Sequence, residues 1–158
     1  MADTLAFRLT NRVVNPVLLR LLRSRAGRIL GRRLAVLRYT GIRTGRPREV
    51  VVMYARAGST VWIAVAQAEH KIWWRSLAAP VDVLLWLAGK AVPARAVAVE
   101  GATQPAEATR GLGEYLARMP MAARSLGVRD RDDADQVAAA AARSVLVRAD
   151  LGGEPDAA

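Results

Sequence analysis

LAVLRYTGIRTGRPREVVVMYARA, residues 34–57, is the stretch on which the fold turns. Leu34 to Thr40 is rich in aliphatic and aromatic residues and predicts a strand. Gly41 to Pro47 predicts a tight turn carrying Arg43 and Arg46, with a third arginine, Arg48, just beyond it. Glu49 to Ala57 predicts a second strand, whose run Val50-Val51-Val52 suggests burial on both faces. Outward from this hairpin, Ala57-Gly58-Ser59 predicts a turn into a strand from Thr60 to Ala66. Lys71 to Ala79 predicts a short helix, Val81 to Ala88 a strand, and Gly89-Lys90 a turn into a strand from Ala91 to Glu100. Pro105 to Arg118 predicts a helix capped by Thr103 and ended near Pro120. Arg129 to Asp133 reads as a mixed-charge solvated loop, Asp135 to Ala142 as a helix and Ser144 to Arg148 as a last strand. Closely spaced strands with one short helix among them fit a barrel better than a doubly wound sheet. No Gly-x-Gly-x-x-Gly fingerprint is present, so a Rossmann site has no support.

The 158 residues suffice for one domain with its own core. Without cysteine there is neither a disulfide nor a thiolate metal site, and the single histidine, His70, argues against a histidine-based one. An intracellular protein without a metal is expected, with His70 exposed at the start of the tryptophan helix. The formal charge is +10, and 22 of the 24 cations are arginine. Eight arginines against Asp3 alone concentrate net charge +7 on residues 1–33. Leu5, Leu9, Val13, Val17 and Leu21 recur there every fourth residue, interrupted at Asn15-Pro16. Such a basic amphipathic segment either packs on the barrel or lies on an anionic membrane surface; it is too interrupted to cross one. The expected organisation is residues 1–33 as this segment, 34–151 as the barrel and 152–158 as a disordered tail.

Two stretches carry the chemistry. The turn from Gly41 to Arg48 offers guanidinium forks that match phosphate or carboxylate oxygens, and alternation would send Arg46 and Arg48 to one side of the emerging strand. Lys71 to Pro80 sets Trp73 and Trp74 between Lys71 and Arg75. Adjacent helical positions diverge, so one tryptophan packs inward while the other faces a ligand. Lys71 and Arg75, four apart, would share a helix face as a second cationic wall. Together these features suggest a clamp for a flat, anionic, aromatic ligand.

The order of Asn15-Pro16, the Gly41 to Arg48 turn, the Lys71 to Pro80 segment and the strand Val81 to Gly89 resembles the deazaflavin-dependent nitroreductase family. The resemblance covers about residues 11–101. It implies an α+β, mainly β fold, a split β-barrel of FMN-binding type with an N-terminal helix and C-terminal helices. It implies a reduced 5-deazaflavin, coenzyme F-420, as hydride donor, with FMN as the alternative used by related barrels. Basic residues matching Arg43 and Arg48 hold the cofactor's phosphodiester and glutamate tail in the family, with Thr44 and Arg46 in the same turn. Val51, Val52 and Met53 match the strand along which the ring lies. Ala66 and Gln67 end the next strand, where family nitroreductases carry serine and lysine. The two tyrosines these enzymes place after the proline matching Pro120 correspond to Ala122 and Ser125, which leaves Ser125 as candidate proton donor. No motif places Tyr54 or Tyr115 at the site.

The implied function is hydride transfer to an electron-poor acceptor, a quinone, enone or nitro compound. A non-catalytic carrier of a cofactor, lipid or haem would share the barrel and the clamp, and turnover separates the two. The expected partners are a small-molecule acceptor and, through the N-terminal segment, the inner face of a membrane, with a homodimer left open. Nucleic acid is not expected, because no reading motif accompanies the charge.

Overall fold

A computed structural model describes residues 19–24 and 32–152. Its body is one seven-stranded sheet: β1 (Leu34–Thr40), β2 (Pro47–Met53), β3 (Ala55–Ala57), β4 (Thr60–Ala64), β5 (Val81–Leu87), β6 (Lys90–Glu100) and β7 (Val145–Leu151). The order is β2-β1-β5-β6-β7-β4-β3, antiparallel throughout. Consecutive strands β2 and β3 thus stand at opposite ends of the order, so the sheet curls back towards itself as a half-barrel. The fold is mainly β and split-barrel-like, with helices α1 (Pro105–Arg118) and α2 (Ala134–Ala142) on its outside.

The first hairpin forms where expected. Tyr39 faces Arg48 and Thr40 faces Pro47 across β1 and β2. Gly45 takes φ +62, the left-handed conformation that glycine reaches without a Cβ penalty, and closes the turn by donating to the Gly41 carbonyl at 2.8 Å. The single strand expected from Glu49 to Ala57 is two. At Tyr54 the backbone N–H donates to Arg33 O, and the chain leaves β1 to pair with β4. Val50 and Val51 are half-buried rather than enclosed on both faces, because a cavity opens beside them.

Period-two alternation divides the apolar residues into two cores. Leu37, Val61, Ile63, Leu85 and Val147 fill the barrel with Trp74 and Leu77 from the connecting segment. On the far side of the sheet Trp62, Leu146 and Val99 pack against Leu112, Leu116 and Ala140 of the helices. Trp62 Nε1 donates to Glu114 at 2.6 Å and lies beneath Gly111.

Close approach requires two glycines. A Cβ on Gly111 would lie 2.4 Å from the Trp62 ring, and one on Gly101 would lie 1.7 Å from the Ala141 carbonyl oxygen. Gly101→Ala therefore has to displace the end of α2, and we expect it to cost about 1–3 kcal/mol or more, as overpacking does. Denaturant midpoints of the variant and the parent check this.

Smaller departures have local causes. Gln104, not Thr103, precedes α1, and it makes no side-chain cap; Pro105 at the first position has no N–H to satisfy. The turn between β5 and β6 is Ala88-Gly89, both at positive φ, one residue earlier than expected. Strand β4 ends at Ala64 because Gln67 turns left-handed at φ 53, and β7 runs on to Leu151 beside β6. The charged loop before α2 supplies its cap, as Asp133 accepts from the N–H groups of Asp135 and Gln136. Those bonds, led by that of Gln136, hold the Asp133 carboxyl below its ordinary range. The cap is therefore intact above the ordinary carboxylate pKa and is lost as pH falls through the depressed value.

Most of the basic N-terminal segment and the tail from residue 153 lie outside the described residues. Within residues 19–24 a helical turn buries Leu22 and sets Arg23 4.6 Å above the Trp86 ring, on the outer face of β5. Among the described residues no helix is long and apolar enough to cross a membrane.

Candidate functional site

Two adjoining hollows share Trp73 as a common wall. The outer cleft, about 530 Å3, is bounded by Tyr39, Ile42, Arg43, Arg48, Arg75 and Ser76 among others. The inner chamber, about 210 Å3, is bounded by Val50 to Met53 of β2, by residues 63–66 at the end of β4, and by Lys71, Tyr115, Ala122 and Ser125.

The arginine turn and the tryptophan segment meet through one hydrogen bond, from the Ile42 backbone N–H to Ser76 Oγ at 3.2 Å. Gly41 is hemmed in by the turn's own side chains, since a Cβ there would meet Thr44 Oγ1 at 3.1 Å and Arg48 Nε at 3.3 Å. Arg43, Thr44 and Arg48 line the outer cleft. Arg46 does not: strand β2 begins only at Pro47, and Arg46 is still in the turn with its carbonyl bonded to Gly41 N–H.

The helix expected over Lys71 to Ala79 is a short 3-10 turn, Trp73–Leu77, with Lys71 extended ahead of it at φ −112 and ψ 134. Lys71 and Arg75 consequently share no helix face; Lys71 lines the inner chamber and Arg75 the outer cleft. The tight turn separates the two tryptophans. Trp74 is buried in the barrel, its Nε1 donates to Ala68 O at 3.0 Å, and Arg75 stacks on its ring at 5.5 Å. Trp73 stays half-exposed between the hollows, its ring 6.2 Å from that of Tyr39 and tilted by 46°. His70 is exposed in a separate turn, Ala68–His70.

Among the described residues neither Arg43 nor Arg48 has a carboxylate partner, whereas Arg23 and Arg38 converge on Glu49, and Arg95 pairs with Asp82. Two guanidinium groups without a carboxylate partner, beside an aromatic wall, give the outer cleft a positive lining of the kind that suits an anion. The inner chamber is apolar, with the Tyr115 phenol and the exposed Ser125 as its polar groups besides Lys71. Burial pushes the Tyr115 phenol above its ordinary range; burial also raises that of Tyr39, opposed by the Arg48 charge.

The family model for F420H(2)-dependent quinone reductase matches residues 16–129. The chain belongs to this family. It is therefore a deazaflavin-dependent reductase, and its cofactor is a 5-deazaflavin. Solved structures are similar to this chain, and the first of them shares its fold. One described as a domain-swapped dimer is 14% identical, with TM-score 0.55 and 95% of this chain and 100% of that one covered. General Stress Protein 26 from Bacillus anthracis is 18% identical, with TM-score 0.37 and coverages of 83% and 89%. The FAD and heme binding protein from Mycobacterium smegmatis is 17% identical, with TM-score 0.43 and coverages of 81% and 65%. No curated protein matches.

For this deazaflavin-dependent reductase, the residues singled out from sequence divide three ways. Arg43, Thr44, Arg48 and Arg75 come together on the outer cleft, and Val51, Val52, Met53, Ala66, Lys71 and Ser125 on the inner chamber, with Trp73 between them. Arg46, Gln67 and Trp74 reach neither wall. Sequence reasoning missed Tyr39, Ile42, Ser76 and above all Tyr115. In the series Leu112, Tyr115, Leu116 and Met119, Tyr115 has the spacing of a core position, and nothing local distinguishes its hydroxyl.

Proposed function

We propose that the chain reduces a small, flat, electron-poor carbonyl acceptor of quinone type, seated in the inner chamber, with the cofactor's anionic tail on Arg43 and Arg48. The observation that carries this reading is the pairing of hollows across Trp73: cationic and open on one side, small and apolar on the other. When bound, the reduced deazaflavin supplies a hydride. The protein's own contribution is placement. Val51, Val52 and Trp73 form apolar walls that exclude water, and confinement of two reactants replaces a bimolecular encounter. Val50 to Met53 and Trp73 would bear on the flat ring, and Arg43 and Arg48 would bind its tail.

Reduction of a carbonyl also requires a proton on oxygen. Tyr115 is the candidate donor because it lines the chamber; burial makes its phenol a weaker acid but keeps it protonated to higher pH. Ser125, whose hydroxyl donates to Ala122 O at 2.8 Å, is the second hydroxyl in reach of the chamber. Tyr115→Phe should leave cofactor affinity unchanged and lower turnover about 100-fold, the lower end of general-acid effects. In the parent, activity should persist to higher pH than an ordinary phenol would allow and fall only as Tyr115 ionises. Steady-state oxidation of reduced deazaflavin by a water-soluble quinone, an enone and a nitroarene, in parent and variant, tests both claims. Preference for the nitroarene, or a variant as active as the parent towards the quinone, overturns the reading.

A further inference from the structure

A 3-10 turn, Arg124–Leu126, contributes to two hollows at once. Ser125 and Leu126 line the inner chamber, while Arg124 lines a third hollow, about 540 Å3, with Gly127, Val128 and Arg129. This hollow shares no lining residue with the outer cleft or the inner chamber. Gly127 takes φ +79, and a Cβ built on it would lie 3.4 Å from Arg143 Nη2, so a third guanidinium reaches the same turn from the end of α2. The following loop is rich in acids, yet they are turned to its own backbone. Asp130 accepts from Asp132 N–H at 3.0 Å, and Asp133 accepts from Asp135 N–H, Gln136 N–H and Gln136 Nε2. Gln136 Oε1 in turn accepts from the N–H groups of Arg129 and Asp130, which fixes the backbone that presents Arg129. Among the described residues Arg124, Arg129 and Arg143 have no ion-pair partner. The helix dipole favours a cation at residue 143, but it does not call for Arg124 or Arg129 on a separate turn.

We propose that this third hollow binds a phosphate-type dianion, either free phosphate or the phosphate group of a small monoester, among Arg124, Arg129 and Arg143. Guanidinium forks match phosphate oxygens, and like charges gathered around one turn repel one another until an anion lies among them. A dianion suits three cations better than a monocarboxylate does, because it meets more of their charge. The loop's own hydrogen bonds hold Arg129 in place beforehand, which lowers the cost of ordering the site. Binding there braces the turn whose Ser125 and Leu126 belong to the chamber wall, and so links an anion outside the chamber to the shape of the space within it. The proposal depends neither on the acceptor reduced nor on where the cofactor's tail lies.

Backbone amide chemical shifts of the full-length protein, followed while inorganic phosphate or glycerol 3-phosphate is added, test this residue by residue. Because the shifts are assigned, binding at residues 124–129 is read apart from any binding at the arginine turn. The amides of residues 124–129 and of Arg143 should move along one saturating curve, and sodium acetate or chloride at matched ionic strength should not reproduce it. The tighter of the two probes identifies the source, free phosphate or a monoester. In the Arg124→Ala/Arg129→Ala variant the dissociation constant should rise at least about tenfold, since two charge-assisted contacts are removed. Both side chains are exposed, so its thermal unfolding should match that of the parent. Arg110→Ala/Arg131→Ala removes the same charge from exposed positions outside the hollow and should bind phosphate as the parent does. Shifts that grow without saturating, equal shifts with chloride, or parental affinity in a folded Arg124→Ala/Arg129→Ala variant overturn the proposal.

Discussion

Replacing Arg43 and Arg48 together by alanine is expected to weaken deazaflavin binding by about 3 kcal/mol or more, over a hundredfold. Hydrogen bonds to charged groups contribute about 1.5–3 kcal/mol each, and two are removed. The fold should survive, because both side chains are exposed and neither has a carboxylate partner among the described residues. Arg46→Ala makes the matched control: the same charge is lost from the same turn, but at a position outside the cleft wall. If the loss were merely one of net charge, Arg46→Ala would weaken binding as much as either neighbour. Titration calorimetry at low and physiological salt separates these outcomes, since an attraction felt only through the general field is the more strongly screened.

The second large effect separates the adjacent tryptophans. Trp74→Ala removes a buried ring from the barrel together with its bond to Ala68 O, and should destabilise the protein by about 3–5 kcal/mol. Trp73→Ala removes a half-exposed wall between two hollows. Its cost to stability should be small, while cofactor binding falls by about 1–3 kcal/mol with the lost aromatic surface. Urea midpoints and cofactor titrations on both variants test the pair. A Trp73 variant that binds like the parent would reduce that residue to packing, and a Trp74 variant of parental stability would contradict its place in the barrel.

How much of this was legible in the chain depends on whether the deciding interaction was local. Strand β1 and the turn after it were readable because glycine at a positive φ, flanked by alternating apolar residues, is a local signal. Helix α1 began and ended where expected, since Pro105 and Pro120 mark its ends whatever it packs against. The break at Tyr54 was not readable. Residues 49–57 have strand character throughout, and only distant partners, β1 for one half and β4 for the other, divide them. The same limit applies to the site. Opposite fates for Trp73 and Trp74 followed from their adjacency, but which of them lined the hollows depended on how the segment sits across the barrel. A 3-10 turn in place of an α-helix then undid the pairing of Lys71 with Arg75, a spacing argument that holds only for 3.6 residues per turn. Tyr115 was hidden for the opposite reason: its helix was read correctly, and the core pattern that identified the helix also explained the residue away.

The most direct test of the account is a single turnover. Protein loaded with reduced deazaflavin is mixed with a water-soluble quinone, and the reappearance of oxidised cofactor is followed in time. The account predicts a first-order rate that saturates with quinone concentration, well above the rate of the same reagents without protein. It also predicts that Tyr115→Phe lowers the plateau rate while leaving the half-saturating concentration nearly unchanged. Tight binding of the reduced cofactor with oxidation no faster than in free solution would contradict the account.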